Sequence, residues 1–588
     1  MRLVDLIPGH LLHNLFLRDR GVGVATDGGQ YIPGVGAHQV GRGKAAPGLV
    51  VPADSRLGAG MSLHRRAEIP FEGTAVVALD AEAHGIHDAD QFLGVGIARP
   101  CRGAQFLHRL GKAVLLHQVA RGLDIRPRRR RRQHHRQGHR QHRPAHGFRF
   151  PLAVLSVVAP LHLAFAGNAS LPAPLGPEDF PRFDLLKARL GQLLFYDPIL
   201  SGNRNISCGT CHSTAFGTGD GLSLGIGEGG AGVGPERTPG TGDSRIRKRI
   251  PRNAPGLWNL GARSVNVMFH DGRVSVSDLY GNGFNTPAEE WLPRGLDSVL
   301  AAQALFPLAA QFEMAGDPKE NQVAGAAYDR IDNVWPILAK RVRVIPEYGK
   351  LFVEAFDDVS TPSDVTIVHI ANAIAAFEGF EWMSYDSPFD RWLAGDEKAL
   401  DARQQAGLRL FFGKADCAAC HSGKLFTDQD FHALALPHFG PGRTRRHDPY
   451  VRDVGRMGIS DRLEDAYRFR TPSLRNVALT APYGHNGAYR TLRGMIEHHL
   501  DPLGCFRKWP TTEAVLPDVP WLAPVDFIAF SDSRERDRLA SRIDIRPMRL
   551  GEDEIESLVA FLESLTGTAS VKGRLGKPAR VPSGLGVD

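Results

Sequence analysis

CGTCH at residues 208–212 and CAACH at residues 417–421 share one pattern, two cysteines two residues apart with a histidine directly after the second. That spacing lets a single short helical turn present both sulfurs to one edge of a porphyrin and the imidazole to its iron, which is the signature of covalently attached c-type haem. A dithiol redox pair would need no adjacent histidine. A shared zinc site would need the two pairs to converge and would leave both histidines unexplained. The pattern therefore assigns Cys208, Cys211 and His212 to one haem and Cys417, Cys420 and His421 to another, with each histidine as the proximal iron ligand. Of the two remaining cysteines, Cys101 lies far upstream, and Cys505 reads as a buried thiol without a partner.

Around both motifs the apolar residues follow helical spacing. Phe183, Leu186, Leu190, Leu193 and Leu194 predict a helix ahead of the first motif, with Pro181 in its first turn. Ile370, Ile374 and Phe377 mark another helix. Ile555, Leu558, Val559, Leu562 and Leu565 mark a last one, opened by Glu552, Asp553 and Glu554 and followed by Gly567. Strand-like alternation is scarce. The expected fold is mainly α: a first haem c domain over 167–395, a second over 396–567, long loops in both, and a tail at 568–588.

The chain has 588 residues, too many for one compact core, and six cysteines, too few for a disulfide scaffold. Its formal net charge of +7 is unevenly placed. Residues 1–166 carry 23 of the 71 Lys and Arg and 11 of the 64 Asp and Glu, so the remainder is mildly acidic. The basic excess peaks in five successive arginines, Arg128 to Arg132, within a stretch of Arg and His that lacks apolar periodicity. Residues 1–146 thus read as a leader that stays unfolded or is never translated, and nucleic acid is not an expected partner of the main body. Residues 147–166, GFRFPLAVLSVVAPLHLAFA, have the layout of a secretory signal: basic residues ahead, a short apolar run, and a small–x–small close at Ala164–Ala166. The apolar run is short for a membrane span of about 20 residues. The expected mature protein begins near Gly167, is exported to the periplasm and has no permanent membrane anchor.

Taken in order, LGQLLFYDPILSGNRNISCGTCH (190–212), RNAPGLWN (252–259), FHDGR (269–273), FEM (312–314), GLRLFFGKADCAACH (407–421) and FRTPSLRNVALTAPYGHNG (469–487) resemble the bacterial dihaem cytochrome c peroxidases, a family that includes the MauG-type enzymes. The resemblance covers about Phe183 to Gly567. It implies that the first haem is the peroxide site, served by a distal carboxylate, Glu313, and by Gln303 ten residues earlier. Splitting an O–O bond requires a proton to move from the near oxygen to the departing one, which is general acid–base work. The resemblance also implies one Ca²⁺ between the domains, held by the Asn253 side chain and the carbonyls of Thr480 and Pro482, a donor set of oxygens that suits this ion.

Three positions depart from the family pattern. Glu228 stands where many peroxidases have a histidine that blocks the distal face of the first haem. With Gly225, Gly227, Gly229 and Gly230 around it, this loop is expected to be mobile and a poor source of an iron ligand. His270 stands where the family has a tryptophan between the haems, with Trp258 as a candidate substitute. At the distal side of the second haem, alignment from TLRGMIEHH places His499, with His498 and Met495 as runners-up. His498 is expected at the surface, and His369, His432, His438 and His447 are given no functional role.

The leading reading is a periplasmic dihaem peroxidase that takes H₂O₂ to water with electrons from a small cytochrome c or cupredoxin, a homodimer being left open. The alternatives are a MauG-like enzyme that oxidises Trp or Tyr of a partner protein, and a dihaem electron-transfer cytochrome without catalysis. The last would need both irons six-coordinate, and no ligand for the distal side of the first is evident. Two insertions, Gly229–Arg249 and Asp317–Trp335, carry no assigned role. Intact-mass analysis of the native protein is expected to show an N-terminus near Gly167 and the added mass of two covalent haems; a mass without haem contradicts the whole reading.

Overall fold

The computed structural model describes residues 170–442 and 452–588, together with two short strands, Glu68–Phe71 (β1) and Thr74–Val77 (β2), paired antiparallel with Glu68 opposite Val77. The strands belong to a unit spanning residues 1–153; both CxxCH motifs lie in the other, residues 154–588. The β1–β2 ladder falls within residues 1–146; the rest of that stretch lies outside the described residues. The signal-like segment, Cys101 and His447 lie outside the described residues.

The second unit is mainly helical, as expected. Leu185–Tyr196 (α1) is capped by Asp184, whose carboxylate accepts from Lys187 N, so the helix begins after Pro181 and Phe183 rather than on them. α1 packs across Ile367–Glu381 (α3) at Gly191, where a β-carbon would lie 1.8 Å from the Ala373 carbonyl oxygen. The second half of the unit repeats this crossing. Ala402–Phe412 (α4), capped by Asp401, meets Glu552–Glu563 (α6) at Gly407, where a β-carbon would again lie 1.8 Å from a carbonyl, that of Ser557. One turn beyond each glycine an aromatic pair closes the contact: Phe195 on Phe377 at 5.3 Å and Phe411 on Phe561 at 5.2 Å between ring centres. Each crossing is the centre of its own hydrophobic core, one packed against Cys208 and Cys211, the other against Cys417. α6 ends at Glu563, so Leu565, fully buried, belongs to the loop that follows.

A second repeated device locks each closing helix. Asn259 and Asn476 both take the left-handed conformation, φ 60° and 58°. The Asn259 amide donates to Trp382 O at 3.0 Å, and its side-chain oxygen accepts from Ser384 N at 2.6 Å, just past α3. The Asn476 amide donates to Leu565 O at 3.1 Å, and its side-chain oxygen accepts from Gly567 N at 2.8 Å, just past α6. The repeated A/T-P-x-L-x-N of residues 254–259 and 471–476 thus ties each CxxCH loop to the end of its own domain.

The insertion 229–249 docks on a long loop of the second half. Arg249 makes a buried bidentate pair with Asp526, and Trp521 Nε1 donates to Ile246 O at 2.9 Å. The tail returns to the first half. The buried Glu381 carboxylate accepts from the amides of Arg574, Leu575 and Gly576, Ser583 Oγ donates to Asp197, and Leu585 and Val587 pack on the first core. Among the described residues no helix is long and apolar enough to cross a membrane. Gly407→Ala is expected to lower stability by about 1–3 kcal/mol, because the helices must separate or bend to admit one carbon; thermal unfolding of the haem-loaded protein measures it.

Candidate functional site

The first CxxCH forms a single helical turn, Cys208–Cys211, with His212 at its end. Ser207 N donates to Thr210 Oγ1 at 2.9 Å and steadies the turn. His212 Nδ1 lies 2.8 Å from Thr218 O, so the neutral ring donates there and leaves Nε2 with its lone pair for a metal. Burial holds this imidazole below its ordinary pKa, which favours the neutral, ligating form.

Glu313 sits half-buried on a widened turn, Gln311–Ala315, in which the Ala310 carbonyl receives the amides of Glu313, Met314 and Ala315. The turn follows Val299–Ala309 (α2), which carries Gln303 and contains Pro307, a residue that cannot donate back to the Gln303 carbonyl. Burial pushes the Cys211 thiol up to about 12, and the charges acting on it include Asp220, Arg237, Glu313 and Asp588, so Glu313 belongs to the surroundings of the first motif.

The Glu228 loop is pinned, contrary to the expectation of mobility. Glu228 N donates to Glu313 O at 3.0 Å, while its carboxylate accepts from Asn203 Nδ2 at 2.8 Å and Asn205 Nδ2 at 2.9 Å. The buried Arg237 guanidinium donates to the carbonyls of Ile226 and Gly227. The glycines serve close approach rather than freedom: a β-carbon on Gly227 would lie 1.9 Å from Phe312 O. The Glu228 carboxylate is thus occupied by two asparagines.

At the second motif His421 Nδ1 lies 3.1 Å from Phe426 O, again freeing Nε2. Leu492–Leu500 (α5) carries His499, whose Nδ1 lies 2.8 Å from Met495 O. The two rings stand 6.4 Å apart between centres, inclined at 57°. Two imidazoles sharing one metal through bonds of about 2 Å have ring centres roughly 6 Å apart. Burial and the neighbouring His499 hold His421 down to about 4. Both rings line a cavity of 690 Å³ together with Cys417, Cys420 and Leu562. Trp258 Nε1 and Arg475 Nη2, buried in its wall without a hydrogen-bond partner among the described residues, are donors of the kind a haem carboxylate satisfies. The residues present fit the group.

His498 is fully buried rather than at the surface, because both ring nitrogens are engaged, with Tyr489 Oη and Leu434 O, each at 2.8 Å. Met495 lines the cavity and supplies the carbonyl that orients His499. Cys505 is half-buried, its Sγ 3.5 Å from Glu497 O. Cys420, Asp428 and His432 bring their ligand atoms within 4.8 Å of one another, Cys420 being also the second cysteine of the CxxCH motif.

Asn253, Thr480 and Pro482 line the same cavity. The Asn253 amide nitrogen donates to Leu222 O at 2.7 Å, which leaves its side-chain oxygen for a cation. His270 Nε2 lies 3.1 Å from Asn253 O, and burial followed by the Arg252 charge lowers it to about 4. Arg252 bridges the halves, paired with Asp271 at 2.6 Å and Asp453 at 2.7 Å, all three buried.

Sequence reasoning missed Arg237, Asp453 and Glu378. Glu378 directly follows Phe377 on α3, as Leu562 directly follows Phe561 on α6, so an acid takes the repeat position that lines the second cavity. It is 6% exposed, its Oε2 has no partner among the described residues, it acts on Cys208, and burial raises it to about 8. The A/T-P-x-L-x-N repeat was the available signal for this equivalence.

Residues 186–398 match the family model described as di-haem cytochrome c peroxidase. The methylamine utilization protein MauG of Methylorubrum extorquens is 28% identical over 409 residues, 69% of this chain and 85% of that protein. A cytochrome-c peroxidase, IdrP1, of Pseudomonas sp. is 27% identical over 447 residues, 71% of this chain and 93% of its own. Among solved structures, a MauG-like protein associated with microbial copper homeostasis is similar at 27% identity and a TM-score of 0.44, covering 68% of this chain and 95% of that one.

Because the folded protein keeps the proton on Glu378 where the unfolded chain releases it, this residue favours folding less and less as pH rises from about 4.5 to about 8. Glu378→Gln, which keeps the shape and removes the acid, is expected to be more stable than the parent at pH 8 and no more stable at pH 4. Unfolding curves at the two pH values check it.

Proposed function

The chain belongs to the di-haem cytochrome c peroxidase and MauG family, and we propose that it is a periplasmic peroxidase: H₂O₂ + 2e⁻ + 2H⁺ → 2H₂O at the His212 centre, with electrons entering through the His421 centre. One observation carries this reading, the unlikeness of the two centres. His421 faces a second imidazole, His499, at 6.4 Å, whereas the surroundings of the first centre hold Glu313, with the Glu228 carboxylate engaged by two asparagines.

When bound, the haems supply the irons that exchange electrons with peroxide and with the donor. Cys208, Cys211 and His212 would hold the first; Cys417, Cys420, His421 and His499 would hold the second. Thr218 and Phe426 keep the proximal imidazoles in the tautomer that leaves Nε2 free. Glu313 takes a proton from the nearer peroxide oxygen and delivers it to the departing one, and Gln303 orients the substrate by hydrogen bonding. The loop 225–230, latched to Glu313 O by the Glu228 amide, keeps the turn that carries this carboxylate in place. Asn253 with the carbonyls of Thr480 and Pro482 would hold Ca²⁺, an oxygen donor set that suits this ion. The donor is a small cytochrome c or cupredoxin, and residues 147–166 direct export.

A second reading, oxidation of Trp or Tyr on a partner protein in the manner of MauG, is favoured by His499 at the second centre, since imidazole in place of methionine lowers a haem's potential. Turnover of H₂O₂ with a reduced cytochrome separates the two readings. The all-ferric protein is expected to react with stoichiometric H₂O₂ at once, seen at the Soret band, with no prior one-electron reduction. Glu313→Gln is expected to retain both haems and lose turnover by about 10²–10⁴-fold; unchanged turnover assigns the proton transfer elsewhere.

A further inference from the structure

We infer that residues 584–588 shield the first centre from outside reductants, so that electrons enter at the second centre alone, an inference that rests on the dihaem reading above. The two CxxCH turns share their spacing and differ in what lies over them. Gly209 and Thr210, between the first pair of cysteines, are both buried, Thr210 completely. Their counterparts are Ala418, which is buried, and Ala419, which is exposed. Such a turn runs along the porphyrin edge to which its cysteines are joined, so its outer face is a way from solvent to the haem. That way is open at the second motif and closed at the first.

A segment remote in sequence closes it. The Thr210 hydroxyl donates to the Asp588 carboxylate, whose charge also acts on Cys211 and on the buried Arg237. Leu585 and Val587 pack on the same core as Cys208 and Cys211. The segment is held in place from behind. Val581 is buried, Ser583 Oγ donates to Asp197 at 2.7 Å, and the Leu585 amide donates to Ser583 Oγ at 3.1 Å. Further back, Gln192 Nε2 donates to the carbonyls of Leu575 and Gly576 at 3.0 and 2.8 Å, and Glu381 accepts the amides described above. These anchors already fasten residues 574–583 to the first half. Residues 584–588 add the layer over Thr210.

The consequence is kinetic. An electron passes between proteins only when the donor docks close to the acceptor, and only a small patch of surface meets that condition. Side chains laid over one turn hold a donor away from it, whereas the Ala419 turn presents no such layer. Leu585, Val587 and Asp588 thus specify where electrons enter. Each entry moves one electron from a small cytochrome c or cupredoxin to the His421 centre, the donor is oxidised by one electron, and no bond forms or breaks.

The test uses wild type, a chain ending at Ser583 that keeps the anchors on Asp197, Gln192 and Glu381, and the double substitution Leu585→Asp with Val587→Asp. Each is verified by mass to carry two haems. Deuterium uptake by the peptide 207–212 is expected to rise in both variants, with uptake by 416–421 unchanged. The all-ferric proteins are then flash-reduced, without peroxide, by photoreduced 5-deazariboflavin at rising concentration. In wild type the first haem is expected to be reduced only behind the second, at a rate independent of flavin concentration. In both variants a phase proportional to flavin concentration is expected at the first haem, at least about five-fold faster than any such phase in wild type, while the second haem changes by less than about two-fold. A wild-type first haem already reduced in proportion to flavin concentration overturns the inference. So does an unchanged first haem in the variants, whether or not deuterium uptake has risen. Should the shortened chain fail to load haem, the double substitution decides. Because no peroxide is used, failure of the peroxidase reading leaves the shielding measured, and a wild-type mass without two haems overturns both.

Discussion

At Gly191 and again at Gly407 one helix presses on another so closely that a β-carbon would sit 1.8 Å from a carbonyl oxygen. Each contact joins the helix that precedes a CxxCH motif to the helix that closes the same domain, and the rest of the haem-binding unit is arranged about these two points. The aromatic residues one turn on, Phe195 with Phe377 and Phe411 with Phe561, fill the space the glycines open. Asn259 and Asn476 then bond the loop after each motif to the chain that leaves the closing helix. Close-packed interiors transmit displacement rather than absorb it. A haem attached to such a turn therefore has its proximal histidine, its wall and its domain ends set by the same contact.

The two halves share this frame and differ in what they place inside it. At one repeat position the first half has Glu378 and the second Leu562; the second half sets His499 across from His421, while the first has the Glu313 turn near its motif. Charge is kept in the interior only where it is matched. Arg252 lies between Asp271 and Asp453, which holds the Asp453 carboxyl well below the usual range despite burial. Arg249 meets Asp526 where the 229–249 insertion touches the second half. Removing one member of such a pair leaves the other buried and uncompensated, typically at about 3–5 kcal/mol.

Both motifs and the principal helices were legible because they depend on local spacing, whereas Glu313, Gln303, His499 and the oxygen donors Asn253, Thr480 and Pro482 were reached through the resemblance to a family rather than through spacing. CxxCH is five residues long, and α3 and α6 announce themselves by apolar period. What escaped depended on distant partners. The glycines around Glu228 read as freedom because nothing nearby shows that the Phe312 carbonyl will lie against one of them. His498 read as a surface histidine because Tyr489 and Leu434, which engage its nitrogens, come together only in the folded chain. Residues 568–588 read as a tail for the same reason, since their partners lie nearly 400 positions upstream, as with Gln192 and Leu575 at a separation of 383.

That last separation bears on the order in which the molecule is made. Glu381, Asp197 and the first core receive Arg574 to Val587 as their final layer, and these residues emerge from the ribosome only after the whole second half. Contacts this remote in sequence form slowly, because a long loop must close before they contribute. During synthesis the first half therefore passes through a stage in which α1 and α3 can pair while residues 574–587 are still missing. In that interval the turn that carries Cys208 and Cys211 lacks part of its cover, since the Thr210 hydroxyl on that turn bonds Asp588 in the finished fold.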